Sequence, residues 1–545
     1  MMVTSRRKIS LFTMLFAVLL GVVSAVQADA QGSRYDRLKG RSQTRVSALK
    51  ERGERKYENL RDRANREYAA MLEKAWEKCE ALGARPLPQE EEEIVPVVVT
   101  PEEDRERVIE DRATPVEEVI PVVKPRPQPV PIAPIEVEPV VSPIEEVPAP
   151  KTEPEVVVPN EEEPPVVVPI EREEPKPEKE EYLSFNFFNT PLRVRLSQGE
   201  RFSLGGTSGK EVSAAWTKLS GAEYNGVLAD CLAIRGEYKL CDWAYLLMLR
   251  DLSQAYFGGP CDEATLLTAF LYCQSGYTMR LARSKDSLVL LYASEHEIYG
   301  KRYWMREGQH LYALDGDPST VNICQAKFPK ESPLSLIIAH EPELSFKRSE
   351  ARSLVSKRRR VTAEVSVNES LIEFYQTYPS SMINDDFGTR WAMYANTPLS
   401  KEARESLYPA LEKAIEGLSP TEATDRLLNF VQTAFVYEYD DKVWGYDRAF
   451  FAEESLYYPY IDCEDRAILF TRLVRDLVGL EAVLVFYPGH LASAVCFPED
   501  VPGDYIALGG KRYTVCDPTI LGVGAPIGVT MAGMDNSKAK VILLD

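Results

Sequence analysis

Apolar and polar positions divide the chain into three stretches of different character. Between residues 33 and 84, Tyr35, Val46, Tyr57, Tyr68 and Cys79 recur every 11 residues, and Leu38, Leu49, Leu60, Met71 and Leu82 form a second such column. Ser42, Gly53, Ala64 and Ala75 add a column of small residues. The columns are offset by three and then four positions, which draws one stripe along a helix of about 3.67 residues per turn. Arg, Lys and Glu crowd the positions between, as on solvated helix faces. The expectation for 33–84 is therefore an amphipathic coiled-coil rod, solitary or self-associating. In a parallel oligomer Cys79 would sit at the seam, where an oxidising compartment would join two chains.

From 85 to 180 the periodicity disappears. Runs such as Val97–Val99, Val156–Val158 and Val166–Val168 alternate with Pro and Glu, and 22 of the 38 prolines fall here. About 17 of the chain's 20 excess negative charges lie in the same stretch, so its acidity belongs to a linker and not to a binding face. Such a composition predicts a disordered, polyproline-like tether with a reach of a few hundred ångströms at ~3.1 Å per residue.

Beyond residue 181 a globular pattern returns, with strand-like and helical runs mixed, and it occurs twice. Asn189–Leu192 reappears as Asn396–Leu399, and the separation from Cys261 to Asp315 equals that from Cys463 to Asp517, 54 residues. Each cysteine opens a helical run ending near a glycine, Gly276 or Gly479. Strand-like runs follow, Leu288–Tyr292 or Ala482–Tyr487. Two α+β domains of one fold are expected, 181–357 and 358–545, split near Lys357.

The second copy carries candidate chemistry. Asp462 is placed to cap a helix whose first turn holds Cys463, and a helix N-terminus favours thiolate over thiol. His490 follows Pro488 and Gly489 at the start of a strand, 27 residues on, and can pair with the sulfur. Asp517 ends another strand after a further 27, beyond a Gly509–Gly510 hairpin turn. A carboxylate there would fix the imidazole tautomer and stabilise imidazolium. Strand parity opposes a zinc site or a disulfide using Cys496 and Cys516, because Cys516 points away from the face that carries Asp517.

The segments DCEDRA, PGH and YTVCDPT resemble the transglutaminase-like superfamily, over roughly Met382 to Thr519. The resemblance implies a fold related to papain-like proteases, with Cys463 as nucleophile, His490 as general base and acid, and Asp517 as orienter. Many relatives carry an aromatic soon after the histidine, whereas Leu491, Ala492 and Ser493 stand here. Tyr437, Trp444, Tyr446 and Tyr460 are candidates for the oxyanion donor or the cleft wall.

In the first copy the histidine position falls at Leu288, beside Asp286 and Ser287, and none of these shuttles protons at neutral pH. Cys261 and Asp315 therefore mark a degenerate site, unless His296 or His310 substitutes. The expected activity is acyl transfer from an amide, as a peptidase or amidase on protein or peptide substrates. The alternative is a noncatalytic envelope scaffold built from such modules. No cofactor and no metal are implied, and nucleic acid is excluded as a partner by the acidic balance. Arg6, Arg7 and Lys8 precede an apolar run, Ile9–Val26, and the small residues Ala28 and Ala30. They predict a signal peptide over 1–30, export to the periplasm or envelope, and no stable membrane insertion after cleavage.

Overall fold

A computed structural model describes residues 61–76, 79, 81–85, 98–107, 109–116, 118–121, 181–221, 223–358, 361–382 and 389–545. The expected signal segment, the coiled coil before residue 61 and the linker from 122 to 180 lie outside the described residues. Residues 65–131 and 175–545 form one compact unit, which is mixed α+β. No described helix is long and apolar enough to cross a membrane.

The elements that matter here are named in chain order. Helix α1 is described over residues 61–76. Four short strands follow it, β1 (Ala81–Gly83), β2 (Val98–Val99), β3 (Arg112–Ala113) and β4 (Glu118–Ile120). Helix α2 (Asp262–Gln274) then precedes β5 (Met279–Ser284), β6 (Ser287–Ser294), β7 (Tyr303–Arg306), β8 (Gln309–Ala313) and β9 (Thr320–Ile323). Helices α3 (Pro420–Ala434) and α4 (Cys463–Leu473) precede β10 (Ala482–Tyr487), β11 (His490–Cys496), β12 (Asp504–Leu508), β13 (Lys511–Val515), β14 (Leu521–Gly522) and β15 (Lys540–Leu543).

In two sheets five strands share one order, read from opposite ends. The first runs β1-β9-β5-β6-β8-β7, and the second β3-β12-β13-β11-β10-β15-β4. Their registers also correspond. Met279↔Tyr292 and Ala313↔Leu291 in the first sheet are matched by Ala482↔Val495 and Val515↔Ala494 in the second. Tyr303↔Tyr312 is likewise matched by Tyr505↔Thr514. In this frame Cys261 corresponds to Cys463, Ser287 to His490, and Asp315 to Asp517. The Asn-Thr-Pro-Leu match does not take part in the correspondence. Its first copy lies on a hairpin turn, with Asn189 at φ 59°, whereas Asn396 ends the helix Thr389–Asn396. The expected boundary at Lys357 is bridged by the hairpin Arg352–Val355 with Thr362–Val365, and the Lys357 N–H donates to Thr433 Oγ1 at 2.9 Å.

Within the stretch expected to be a disordered linker, the described residues include a short helix, Pro101–Glu106, and three short strands that pair with later ones. β3 pairs in parallel with β12, β4 in parallel with β15, and β2 in parallel with β14. β3 and β4 sit on opposite edges of the seven-stranded sheet. In a flat sheet those edges would stand about 29 Å apart, at ~4.8 Å per strand. The chain from Ala113 to Glu118 reaches only about 18 Å. The sheet must therefore curl until one short strap touches both edges, and its interior is the cluster of Val483, Val485, Tyr487, Ala492, Ala494, Ile506, Tyr513 and Val541. The first sheet is closed in the same way. β1 pairs with β9, and two residues later Arg85 bridges to Tyr303 in β7.

The described end of the expected rod is not a solvated seam. In α1 the buried residues are Arg61, Asn65, Tyr68, Ala69, Leu72 and Trp76, whereas Met71 of the second apolar column is 41% exposed. Trp76 Nε1 donates to Thr207 O at 2.7 Å, Ser213 Oγ donates to Ala69 O at 2.8 Å, and the rings of Tyr68 and Trp216 pack at 4.7 Å. Asn65 and Gln274 exchange amide hydrogen bonds at 3.1 and 3.0 Å. Tertiary burial of a 3.6-period face thus overrides the eleven-residue stripe in this segment.

Candidate active site

α4 begins as its sequence dictates. Asp462 is the N-cap, Cys463 is the first helical residue, and the Asp465 carboxyl accepts the Asp462 N–H at 3.4 Å and the Phe450 N–H at 2.8 Å. Ile468, Leu469 and Leu473 are buried, and α4 packs across β11. Gly479, at φ 72°, ends the helical run in the left-handed region that an L side chain resists.

His490 opens β11 after the turn at Gly489, paired with Tyr487 across the hairpin. Its Nε2 lies 3.0 Å from Asp517 Oδ2, and both side chains are buried. The other carboxylate oxygen, Oδ1, accepts the Thr519 N–H at 2.9 Å. Gln432 of α3 fixes the backbone there, donating from Nε2 to Asp517 O at 2.8 Å and to Ala525 O at 3.1 Å. Asp517 is thus held at both ends, and Nδ1 is the imidazole nitrogen left for a thiol.

The structure brings His490 and Asp517 together as the sequence suggests, but it gives the sulfur a different neighbour. Cys463 Sγ donates to Glu464 Oε2 at 3.1 Å. The thiol is also covered, with Cys463 only 4% exposed. Asp440, Asp462 and Glu464, all buried, bring carboxylate oxygens within 4.8 Å of one another beside it. Burial first, and then the charges of Asp440 and Glu464, push the Asp465 carboxyl well above the ordinary carboxylate range. Sequence reasoning missed this acidic group, although two of its members, Asp462 and Glu464, flank the cysteine.

Arg466 was also missed in its role. It is fully buried, donating from Nη1 to Val431 O at 2.8 Å and Gln432 O at 3.1 Å, and from Nη2 to Phe435 O at 3.1 Å. These carbonyls close the C-terminal turn of α3, where a cation is favoured. Burial lowers its guanidinium to about 10, against the opposing pull of the Tyr437 ring and nearby carboxylates. Arg466 so locks α3, with its Gln432, to α4, with its Cys463.

The four aromatic candidates divide. Tyr446 and Tyr460 are exposed, at 54% and 42%. Trp444 packs on Tyr458 and Phe450 with Arg448 over its ring at 4.8 Å, and Tyr437 lies under Arg466 at 5.6 Å. Val436 and Val443 join the exposed apolar residues of this segment. Cavities of about 260 and 140 Å³ lie elsewhere, one along Arg107–Arg112 and Ile520–Ala532, the other around Arg280 and Arg306; neither is lined by Cys463, His490 or Asp517.

In the first sheet the corresponding positions have other surroundings. Cys261 is exposed and accepts the Ala264 N–H at 3.4 Å as N-cap of α2, and partial burial together with Glu263 pushes its thiol up. Ser287 is exposed, and Asp315 pairs with Arg250 at 3.6 Å. His296 is buried, where its Nε2 accepts the Leu336 N–H at 3.3 Å, and His310 meets Tyr303 edge-on and stacks on Tyr312. Comparison with protein-family models, with curated proteins and with solved structures finds no match to this chain.

Proposed function

We propose that the chain is a transglutaminase-like cysteine enzyme acting on amide bonds as a peptidase or amidase, with its catalytic group in the second of two tandem transglutaminase-like domains. The observation that carries the reading is the buried His490–Asp517 pair on β11 and just beyond β13, together with Cys463 on the first turn of α4, the helix that packs on β11. In the reaction the Cys463 sulfur attacks the amide carbon, Nδ1 of His490 passes a proton to the leaving amine, and water releases the thioester. Asp517 holds the ring and stabilises its cationic form. The segment from Val436 to Phe450 must move to admit substrate, because its Asp440 stands against Asp462 and Glu464. The exposed Val436, Val443 and Tyr446 of that segment, with Tyr460 bridged to Val436, give an apolar outer surface for a peptide.

One observation favours the noncatalytic reading, a scaffold of transglutaminase-like modules. The Cys463 thiol is covered and donates to a carboxylate, which is an arrangement of a structural thiol. Thiol labelling separates the two. An enzyme labels at Cys463 quickly, at a pH below the ordinary thiol range, and loses this in His490→Ala. Labelling that is slow and indifferent to His490 removes the enzyme.

A further inference from the structure

Cys79 lies between α1 and β1. β1 pairs antiparallel with β9 in the register Ala81↔Asn322, Leu82↔Val321 and Gly83↔Thr320. Continued two steps outward, that register sets Cys79 opposite Cys324, the residue after β9. The two thiols are close enough to shift each other's ionisation, Cys79 down and Cys324 up, and the Cys79 sulfur donates to Ala75 O at 3.3 Å. Cys324 is held in place by its N–H, which donates to Leu281 O in β5 at 2.9 Å. Opposed residues of an antiparallel pair carry Cβ atoms about 4.5–5.5 Å apart, a small movement from the ~3.8 Å of a disulfide.

We propose that Cys79 and Cys324 are a modification site, closing an intrachain disulfide that staples α1 and β1 to the first sheet. The oxidant is a protein or glutathione disulfide. Cys79 thiolate attacks one of its sulfurs and expels the other as thiolate, leaving Cys79 in a mixed disulfide. Cys324 then gives up its proton and attacks the Cys79 sulfur, expelling the remaining thiolate. Two protons and two electrons pass to the oxidant. The pair is suited to this order, because the neighbouring Cys324 thiol and the charge of Arg283 draw the Cys79 thiol down, whereas Cys324 is pushed up by Cys79 and by burial. Cys231, Cys273 and Cys516 are sealed in the core with thiols raised by burial, which leaves them inert. This pairing replaces the interchain seam suggested by the eleven-residue stripe.

The test uses the full chain, incubated with glutathione disulfide, quenched with iodoacetamide and mapped by mass spectrometry without reduction. The expected product is a linked Cys79–Cys324 peptide in a protein that remains monomeric by non-reducing electrophoresis. Dithiothreitol should then lower the melting midpoint of the wild type by a few degrees, and leave that of Cys79→Ser unmoved. Recovery of both cysteines as alkylated thiols after oxidation would overturn the proposal. So would a Cys79–Cys79 link between two chains, and both results are read on the unmutated protein.

Discussion

His490 Nε2 and Asp517 Oδ2 stand 3.0 Å apart with both side chains buried, so the imidazole is oriented before any substrate arrives. Replacing Asp517 by Asn should remove the charge that favours imidazolium while keeping the shape. Iodoacetamide labelling of Cys463 below pH 7 is expected to fall about tenfold or more and to recover only near the ordinary thiol range, about pH 8.5. An unchanged rate at pH 6 would show that the pair does not govern the sulfur.

Cys261 provides the internal contrast. It is exposed, but its thiol is pushed up and no histidine faces it from the Ser287 position. Its labelling should rise only above the ordinary thiol range, and Cys261→Ser should leave the Cys463 rate unchanged. Competitive labelling of the two sites in one sample checks both statements.

Arg466 satisfies three carbonyls at the end of α3. Arg466→Met keeps the stem but orphans those carbonyls, and a loss of about 3 kcal/mol or more is expected in urea unfolding. Arg466→Lys should recover only part of it, because an ammonium cannot span the fork of contacts. A midpoint within about 0.5 kcal/mol of wild type for either variant would contradict the capping role.

Glu453 joins distant parts of the chain, accepting from Ser400 N and Oγ, both at 2.8 Å. Burial pushes its carboxyl up to about 7, and Glu341, also raised to about 7 by burial and then by the charge of Glu453, follows it. The folded state therefore binds protons that the unfolded chain releases near pH 4.5, and the sign is fixed. The contribution is complete below about pH 4.5 and is lost as pH rises through 7, amounting to at most about 3 kcal/mol for Glu453. The melting midpoint should decline from pH 5 to pH 8, and Glu453→Gln should flatten that decline.

Gly522 tests the strap. A Cβ there would stand 2.1 Å from Val99 O, at a φ of +83°. Gly522→Ala should break the β2–β14 pairing, cost about 1–3 kcal/mol, and expose the 98–120 segment to limited proteolysis. Deleting residues 98–120 should go further, baring both edges of the second sheet and driving self-association visible in light scattering.

Much of the second copy is legible in the amino-acid order because its signals are local. The Asp-Cys start of α4, the Gly509–Gly510 turn and the alternation before Asp517 each specify an element within a few residues. The strap is hidden because strands of two or three residues, such as Val98–Val99 and Arg112–Ala113, are too short to show a period and sit in a Pro- and Glu-rich background. α1 misleads for a related reason. Its column residue Tyr68 is buried, but Leu72 and Trp76 on its 3.6-period face matter more than Met71. Gln432 and Arg466 act on backbone carbonyls, and a carbonyl leaves no trace in residue identity.

The strap also sets the timetable of assembly. Arg112 pairs with Asp504, a residue synthesised 392 positions later, with their side chains 2.9 Å apart. During vectorial synthesis the segment emerges long before its seat exists, and stays unattached while the whole of the first sheet is completed. Closure of the second sheet thus waits until β12 and β15 have been made, and any factor holding that early segment would keep the late sheet ajar.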